Sequence, residues 1–163
     1  MGLGLLFALT ADDSTALLAL VGDDDAVAGH VAGEIEERLT GEDHADLDKA
    51  WDAIHRCLTD GALDYGNGTF PLNRCILGGR LLVSDEAAEI AAFTAADEVP
   101  AVSAALDAVT EEWFRAAYGS LDPADYLEHG PEDLAYAWDG FESARRLWRY
   151  AATTGRAVLF SAS

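Results

Sequence analysis

The sequence predicts an α+β fold in which a small sheet is covered by several helices. Residues 2–9 and 157–161 are short apolar segments with the composition of buried strands. Most of the chain between them repeats apolar residues at helical spacing, with one further strand expected near the middle. We therefore expect a single domain over residues 1–163, whose sheet contains the N- and C-terminal strands paired side by side.

Two helices are predicted after the first strand. Asp12 or Asp13 can cap a short helix that runs to Val21 and ends at Gly22. In the next segment apolar residues recur at every fourth position and so share one side of a second helix; they are Val27, Val31, Ile35 and Leu39. Residues 41–46 are polar, and we expect them to form a loop.

A third helix is predicted over residues 46–58. Its core-facing side would consist of Leu47, Trp51, Ile54 and Leu58. At about 100° per residue, Asp48, Asp52 and His55 then lie along one edge of that side. The spacing therefore places an imidazole beside two carboxylates.

The middle of the chain is rich in glycine. Residues 61–71 are expected to be a loop with tight turns. Residues 74–83 fit either a hairpin that turns at the two adjacent glycines or a loop followed by one strand, and we favour a strand over 80–83. Residues 85–92 fit either a loop or a helix.

The C-terminal half is predicted to be mostly helical. Thr94 and Asp97 resemble a capping box for a helix with one apolar side, formed by Val99, Val102, Leu106 and Val109. Residues 111–118 are expected to form the next helix, and Asp122 followed by Pro123 is a typical helix start. A long helix is predicted over 132–154, ended by Gly155 and followed by the last strand.

The charge of the chain restricts its partners. Its net charge is −20, from 30 acidic and 10 basic residues. This excess of carboxylates argues against binding to nucleic acid or to an anionic membrane, and it favours a basic protein partner. The apolar N-terminal segment lacks the basic region and cleavage site of a signal peptide, so we expect a cytoplasmic location.

The candidate functional site is the edge of the third helix. An imidazole held by a carboxylate can act as a general base, and His55 with Asp48 and Asp52 fits that chemistry. The same groups could bind a divalent metal, but the chain offers no evident further ligand, so no metal is expected. In the alternative reading, His55 is hydrogen-bonded at the boundary of the core and orients the helix.

The glycine-rich loop after this helix extends the candidate site. Asp64, Tyr65 and Asn67 lie within it, and loops that combine polar and aromatic groups often line pockets. Arg74 follows the loop and could form a bidentate pair with Asp48 or Asp52. The glycines do not match a phosphate-binding loop, and no cofactor is expected.

Two sequence blocks resemble a known family. They read Asp48-Lys49-x-Trp51-x-x-Ile54-His55-x-x-Leu58-Thr59 and Pro71-Leu72-x-Arg74-x-Ile76-Leu77-Gly78. With the Gly- and Phe-rich start and the terminal helix–glycine–strand ending, they resemble the YfbM-like bacterial family, a domain of unknown function, over nearly the whole chain. One departure is that Tyr126 and Gly130-Pro131 stand where the family has a tyrosine–proline turn.

The resemblance implies a compact α+β cytoplasmic domain and no particular reaction. It would place any site shared by the family at Asp48, Trp51, His55 and Arg74. The sequence itself lacks the nucleophile motif GxSxG and the metalloprotease motif HExxH. We therefore expect a binding module that engages a basic protein, as immunity proteins do with toxins. The alternative is a small-ligand-binding protein or hydrolase with its site around His55 and Arg74.

Overall fold

The computed structural model describes residues 2–84 and 86–163. Its strands are β1 (Gly4–Leu9), β2 (His44–Asp48), β3 (Arg80–Leu81), β4 (Ile90–Thr94) and β5 (Ala157–Ala162). Its helices are α1 (Ala11–Leu18), α2 (Asp24–His30), α3 (Glu36–Arg38), α4 (Trp51–Leu58), α5 (Val99–Asp107), α6 (Glu111–Gly119) and α7 (Pro131–Thr154). Among the described residues, no helix is both long and apolar enough to cross a membrane.

The five strands form one antiparallel sheet in the order β2-β1-β5-β4-β3. β1 pairs with β5, so that Gly4 lies opposite Ala162 and Leu9 lies opposite Ala157. The predicted pairing of the two terminal strands is therefore confirmed. β5 is the central strand, and all six of its residues are buried.

The sheet has a separate hydrophobic core on each face. Leu6 and Phe160 belong to the core that includes residues of α4 to α7, whereas Phe7 and Leu159 belong to the core that includes residues of α1 and α2. Neighbouring residues of one strand point to opposite faces, and each face is covered by helices. The predicted α+β class is confirmed.

The second predicted helix has one continuous apolar side. α2 and α3 are joined by a π-helical turn, Val31–Ile35, and the four predicted residues Val27, Val31, Ile35 and Leu39 are all buried. A four-residue repeat drifts around a regular helix of 3.6 residues per turn. The wider π-helical turn offsets this drift and keeps the apolar residues facing the sheet.

The predicted helix over 46–58 begins too early. Residues His44–Asp48 form the edge strand β2, in which buried Ala45 and Leu47 alternate with exposed Asp46 and Asp48. The strand ends at Asp48, whose φ of 48° lies in the left-handed region, and α4 starts only at Trp51. The alternation of buried and exposed residues, which is typical of a strand, was not recognised in this segment because Leu47 also fits the helical spacing.

Of the two alternatives for residues 85–92, the loop is correct for residues 86–89, but both are wrong for residues 90–92, since β4 begins at Ile90; Asp85 itself lies outside the described residues. β4 is covered on both faces, so its sequence lacks the alternation typical of a half-exposed strand. Thr94 ends this strand and caps no helix, because α5 begins after Glu98. The preferred loop-then-strand arrangement is confirmed, although β3 is only two residues long.

Two predicted helix starts differ from the structure, and one predicted helix end agrees with it. α1 is capped by Thr10, whose hydroxyl accepts from the backbone N–H of Asp13 in a capping box, so the predicted Asp12 or Asp13 cap is wrong. Asp122 begins only a turn, closed by the Tyr126 N–H on its carbonyl oxygen. α7 ends as predicted at Gly155, which adopts the left-handed conformation that favours glycine.

Candidate functional site

The predicted site centres on α4, and every residue of this helix is buried. α4 packs against α6 and α7, and its residues belong to the core on that side of the sheet. Three of its buried residues are polar, namely Asp52, His55 and Arg56. Burial of such groups is costly unless each is hydrogen-bonded, so their partners define what they do.

His55 is held by the loop that follows α4. Its ring is 1% exposed, and Nε2 lies 2.8 Å from the backbone oxygen of Asp64 and 2.8 Å from Oδ1 of Asn67. Because both partners accept, Nε2 carries the proton and donates.

The orientation of Asn67 supports this assignment. Its amide nitrogen donates to three oxygens, which belong to Thr59, Asp60 and Ala62. Oδ1 must then face the imidazole. The sequence placed Asn67 in the polar loop after α4, but its position twelve residues after His55 carries no periodic signal that would have paired the two side chains.

These contacts favour a structural role for His55. Burial lowers the pKa of its imidazole below the usual value of 6.5, and hydrogen bonds to Asn67 and Asp64 only partly oppose this effect. The neutral ring has committed its Nε2 proton to the loop, and His55 is not among the residues that line five main clefts in the described part of the chain. Its use by a hydrolase or for ligand binding stays a prediction that the geometry does not favour.

Asp52 is paired with Arg56, one helical turn further on. Nε of Arg56 lies 2.6 Å from Oδ1 of Asp52, and Nη1 lies 2.6 Å from Oδ2 of Asp125. The guanidinium also stacks 5.6 Å from the ring centre of Tyr126. Burial works against the charge of Arg56, but its hydrogen bonds to both carboxylates outweigh this effect and raise its pKa. The i, i+4 spacing of Asp52 and Arg56 could have revealed this pair from the sequence.

Three other predicted site residues form no hydrogen bond with His55 and have partners or surroundings of their own. Asp48 is exposed at the end of β2. Trp51 donates from Nε1 to the backbone oxygen of Gly2 over 3.0 Å and packs in the core. Arg74 donates from Nη1 to the Gly78 oxygen over 2.7 Å and lies 3.5 Å from Glu98, so the predicted pair with Asp48 or Asp52 is not formed.

The two loop residues have different roles. Asp64 contributes its backbone oxygen to His55, while its exposed carboxylate accepts from the N–H of Gly66 at 3.3 Å. Tyr65 is partly buried and packs against the core. In the described part of the chain, no three His, Cys, Asp or Glu side chains are placed to hold a metal ion.

A second polar cluster, which sequence reasoning missed, lies at the start of α7. The hydroxyls of Tyr118 and Tyr126 both donate to Oδ2 of Asp133, over 2.5 and 2.7 Å. Burial first, and the charge of Asp133 second, raise the pKa of both tyrosines well above its usual value. The ring of His129 contacts both tyrosines. Beside this cluster is an open cleft of about 560 Å³, lined by Glu128, His129, Gly130, Pro131, Glu132, Asp133 and Tyr136.

Another cleft, of about 420 Å³, lies between β2 and the second half of α7. Its walls carry both acidic and basic side chains, and His44, Ser143 and Tyr150 also line it. None of the predicted site residues contributes to this cleft.

The family model for DUF1877, a domain of unknown function, matches residues 1–161. The chain belongs to the DUF1877 family. Among solved structures it is similar to YfbM from Escherichia coli, a protein of unknown function, with 20% sequence identity, 99% of each chain covered and a TM-score of 0.69. This likeness shows the fold, and no curated protein matches the chain.

Membership of DUF1877 confirms the resemblance that the two sequence blocks indicated. In this DUF1877 chain the first block spans the end of β2 and α4, and its Trp51, Ile54 and Leu58 are core residues. The second block surrounds a short 3₁₀ helix, Leu72–Cys75, and buries Ile76 and Leu77. Both blocks thus hold residues that pack the helices onto the sheet.

Proposed function

We propose that this chain is a binding module that engages a basic protein partner. The observation that carries the proposal is an exposed leucine among carboxylates that have no cation of their own. Leu127 is 80% exposed, and the neighbouring Glu128 and Glu132 have no ion pair among the described residues. We define the acidic face as Leu127, Glu128, Glu132 and Tyr136.

Charge supports this proposal because the few cations of the chain are largely neutralised within it. Ion pairs involve seven of the ten basic residues, namely Arg38, Arg56, Arg74, Arg115, Arg145, Arg149 and Arg156. Most carboxylates therefore have no ion-pair partner among the described residues, and they give the protein a negative electrostatic field. Such a field accelerates the approach of a positively charged partner and repels nucleic acid.

The composition of the acidic face suits a protein interface. Leu127 and Tyr136, which is 40% exposed, supply apolar and aromatic area, and the carboxylates surround them. The cleft of about 560 Å³, which Glu128, Glu132 and Tyr136 line, has room for a lysine or arginine side chain. Asp133 and the two tyrosines beneath it are already hydrogen-bonded, so the floor is rigid before binding. A basic toxin, neutralised as immunity proteins neutralise theirs, is one instance of such a partner.

The test is affinity capture from the native host at low salt, followed by binding measurements with the purified partner. A partner of high isoelectric point should bind the wild type and dissociate progressively as the salt concentration rises. The paired variant Glu128→Gln/Glu132→Gln should weaken this binding by about tenfold or more.

A matched control separates the acidic face from charge in general. Asp25→Asn/Glu37→Gln removes the same number of charges from α2 and α3, where both carboxylates are exposed and, like Glu132, lie in first helical turns. The control variant should bind like the wild type. Capture of no basic protein at low salt would contradict the proposal, and so would equal weakening by the two paired variants.

A further inference from the structure

The cleft between β2 and α7 lies on a free sheet edge. β2 pairs only with β1, so one side of its backbone has no strand neighbour among the described residues. Ala45 and its neighbours His44 and Asp46 all line the cleft, although adjacent residues of a strand point to opposite faces of the sheet. The cleft must therefore lie against the outer edge of β2. An unpaired strand edge can accept the backbone of an extended peptide.

The helix wall of the cleft carries an unpaired cation. Arg146 lines the cleft, and no carboxylate of the described residues lies within 4 Å of its guanidinium. This is unusual in a chain with three times as many acidic as basic residues. Ser143 lies one turn earlier on the same side of α7 and lines the same cleft. A guanidinium beside a hydroxyl suits a carboxylate ligand.

The strand wall has the opposite charge. Glu42 and Asp46 line the cleft there, facing a wall that carries Arg146. Between the walls lie the apolar side chains of Ala45 and Leu147, both buried. A ligand that fits this arrangement has one negative group, one positive group and an apolar part. Such a combination occurs in a short peptide with a free carboxylate and a basic side chain.

The cleft is formed before any ligand binds. Tyr150, at one end, is stacked 5.3 Å from the guanidinium of Arg156. Arg156 also donates to the backbone oxygen of Ala8 and lies 3.8 Å from Asp43, which fixes the segment before β2. A volume of about 420 Å³ is in the range of pockets that take peptide-sized ligands.

We propose that this cleft binds the C-terminal end of an extended basic peptide by strand addition to β2. The peptide backbone pairs with the outer edge of β2, the terminal carboxylate binds Arg146 and Ser143, and a basic side chain upstream meets Glu42 and Asp46. This site is distinct from the acidic face at the start of α7 and stands on different residues, so either proposal can fail without the other.

The test is an NMR titration of the isotope-labelled protein with a five-residue peptide ending in Lys-Val-Leu with a free carboxylate. Millimolar peptide should shift the amide signals of His44, Ala45 and Asp46 and those of α7 from Ser143 to Tyr150. The same peptide with an amidated C-terminus should bind about tenfold more weakly or not at all.

Variants of two arginines provide the matched comparison. Arg146→Gln should weaken the binding of the free-carboxylate peptide by about tenfold. The fold should stay intact because Arg146 is exposed. Arg80 is the control, because it lies on β3 at the opposite edge of the sheet and, like Arg146, has no ion pair with any residue that the structure describes; Arg80→Gln should leave binding of the peptide unchanged. Three results would overturn the proposal: no shifts at millimolar peptide, shifts confined to other surfaces, or equal binding of the free and amidated peptides.

Discussion

The imidazole of His55 donates to the side chain of Asn67 over 2.8 Å, although twelve residues separate the two positions. The amide of Asn67 donates in turn to the hydroxyl of Thr59, which itself donates to the His55 backbone oxygen over 2.6 Å. These bonds form a closed set that fastens the loop after α4 to the end of that helix. The most polar part of the predicted site thus has a structural role, which is to hold this loop against α4.

Loss of the Asn67 side chain should destabilise the protein. Asn67→Ala leaves the buried N–H of His55 with only the Asp64 oxygen and removes three further bonds, so we expect a loss of about 1–3 kcal/mol in the free energy of unfolding. Asp64→Ala is the control, since it keeps the backbone oxygen that His55 uses and should cost less than about 0.5 kcal/mol. Urea denaturation measures the free energy of unfolding of both variants. Equal losses would contradict the structural role of the Asn67 side chain.

His55 should make stability depend on pH below about 6.5. Burial lowers its pKa in the folded state, so the unfolded chain takes up a proton near pH 6.5 while the folded ring is still neutral. The contribution of His55 to stability is complete above pH 6.5 and decreases as the pH falls towards the folded pKa. Urea denaturation at several pH values between 7 and 5 gives the free energy of unfolding as a function of pH. This free energy should fall less steeply with decreasing pH for His55→Gln than for the wild type. Identical slopes would show that the ring is not buried in its neutral form.

The ion pair between Arg56 and Asp52 should be far more sensitive than a surface pair of the same spacing. Arg56→Ala strands the carboxylate of Asp52 in a buried position and should cost about 3–5 kcal/mol. Arg115→Ala breaks the i, i+4 pair with Glu111, in which both side chains are more than half exposed, and should cost less than about 1 kcal/mol. Thermal denaturation of the two variants compares them directly. Similar melting temperatures would mean that Asp52 is solvated.

Gly4 should not tolerate even a methyl group. A Cβ at this position of β1 would lie 2.5 Å from Cδ1 of Trp51 and 3.0 Å from the ring of Phe160, both in the core. Gly4→Ala should therefore destabilise the protein by about 1–3 kcal/mol. Gly119→Ala meets no atom within 4 Å at the end of α6 and should be neutral or stabilising by up to about 1 kcal/mol. Chemical denaturation of both variants tests this, and a neutral Gly4→Ala would mean that Trp51 can move.

The elements with one clear period could be predicted from the sequence. The apolar repeat of the second helix, the terminal strands and the long helix ended by Gly155 all follow rules that act within a few residues. β2 was not predicted because Leu47 fits two periods at once, and β4 was not predicted because residues 90–94 show neither a strict alternation nor the longer apolar run of the buried strand β5. Their strand conformation is decided by pairing with β1 and β5, which lie far away in the sequence.

The candidate site was predicted only in part, for the same reason. The sequence placed Asp52 and His55 together on α4, and the spacing of Asp52 and Arg56 carried a signal for their ion pair, but no spacing rule could reveal that Asn67 binds the imidazole of His55. The clefts beside α7 were missed because each joins residues from separate parts of the chain or from an irregular loop. Such meetings depend on the tertiary structure and leave no spacing rule in the sequence.

The central place of β5 has a consequence for biosynthesis. β5 stands between β1 and β4 but is synthesised after the other four strands, so until residues 157–162 emerge the sheet exists only as two separate two-stranded ribbons, β1 with β2 and β3 with β4. Two-stranded ribbons are at most marginally stable in water. The nascent chain therefore acquires its native sheet only once β5 has emerged, and until then the exposed edges of its apolar strands favour aggregation.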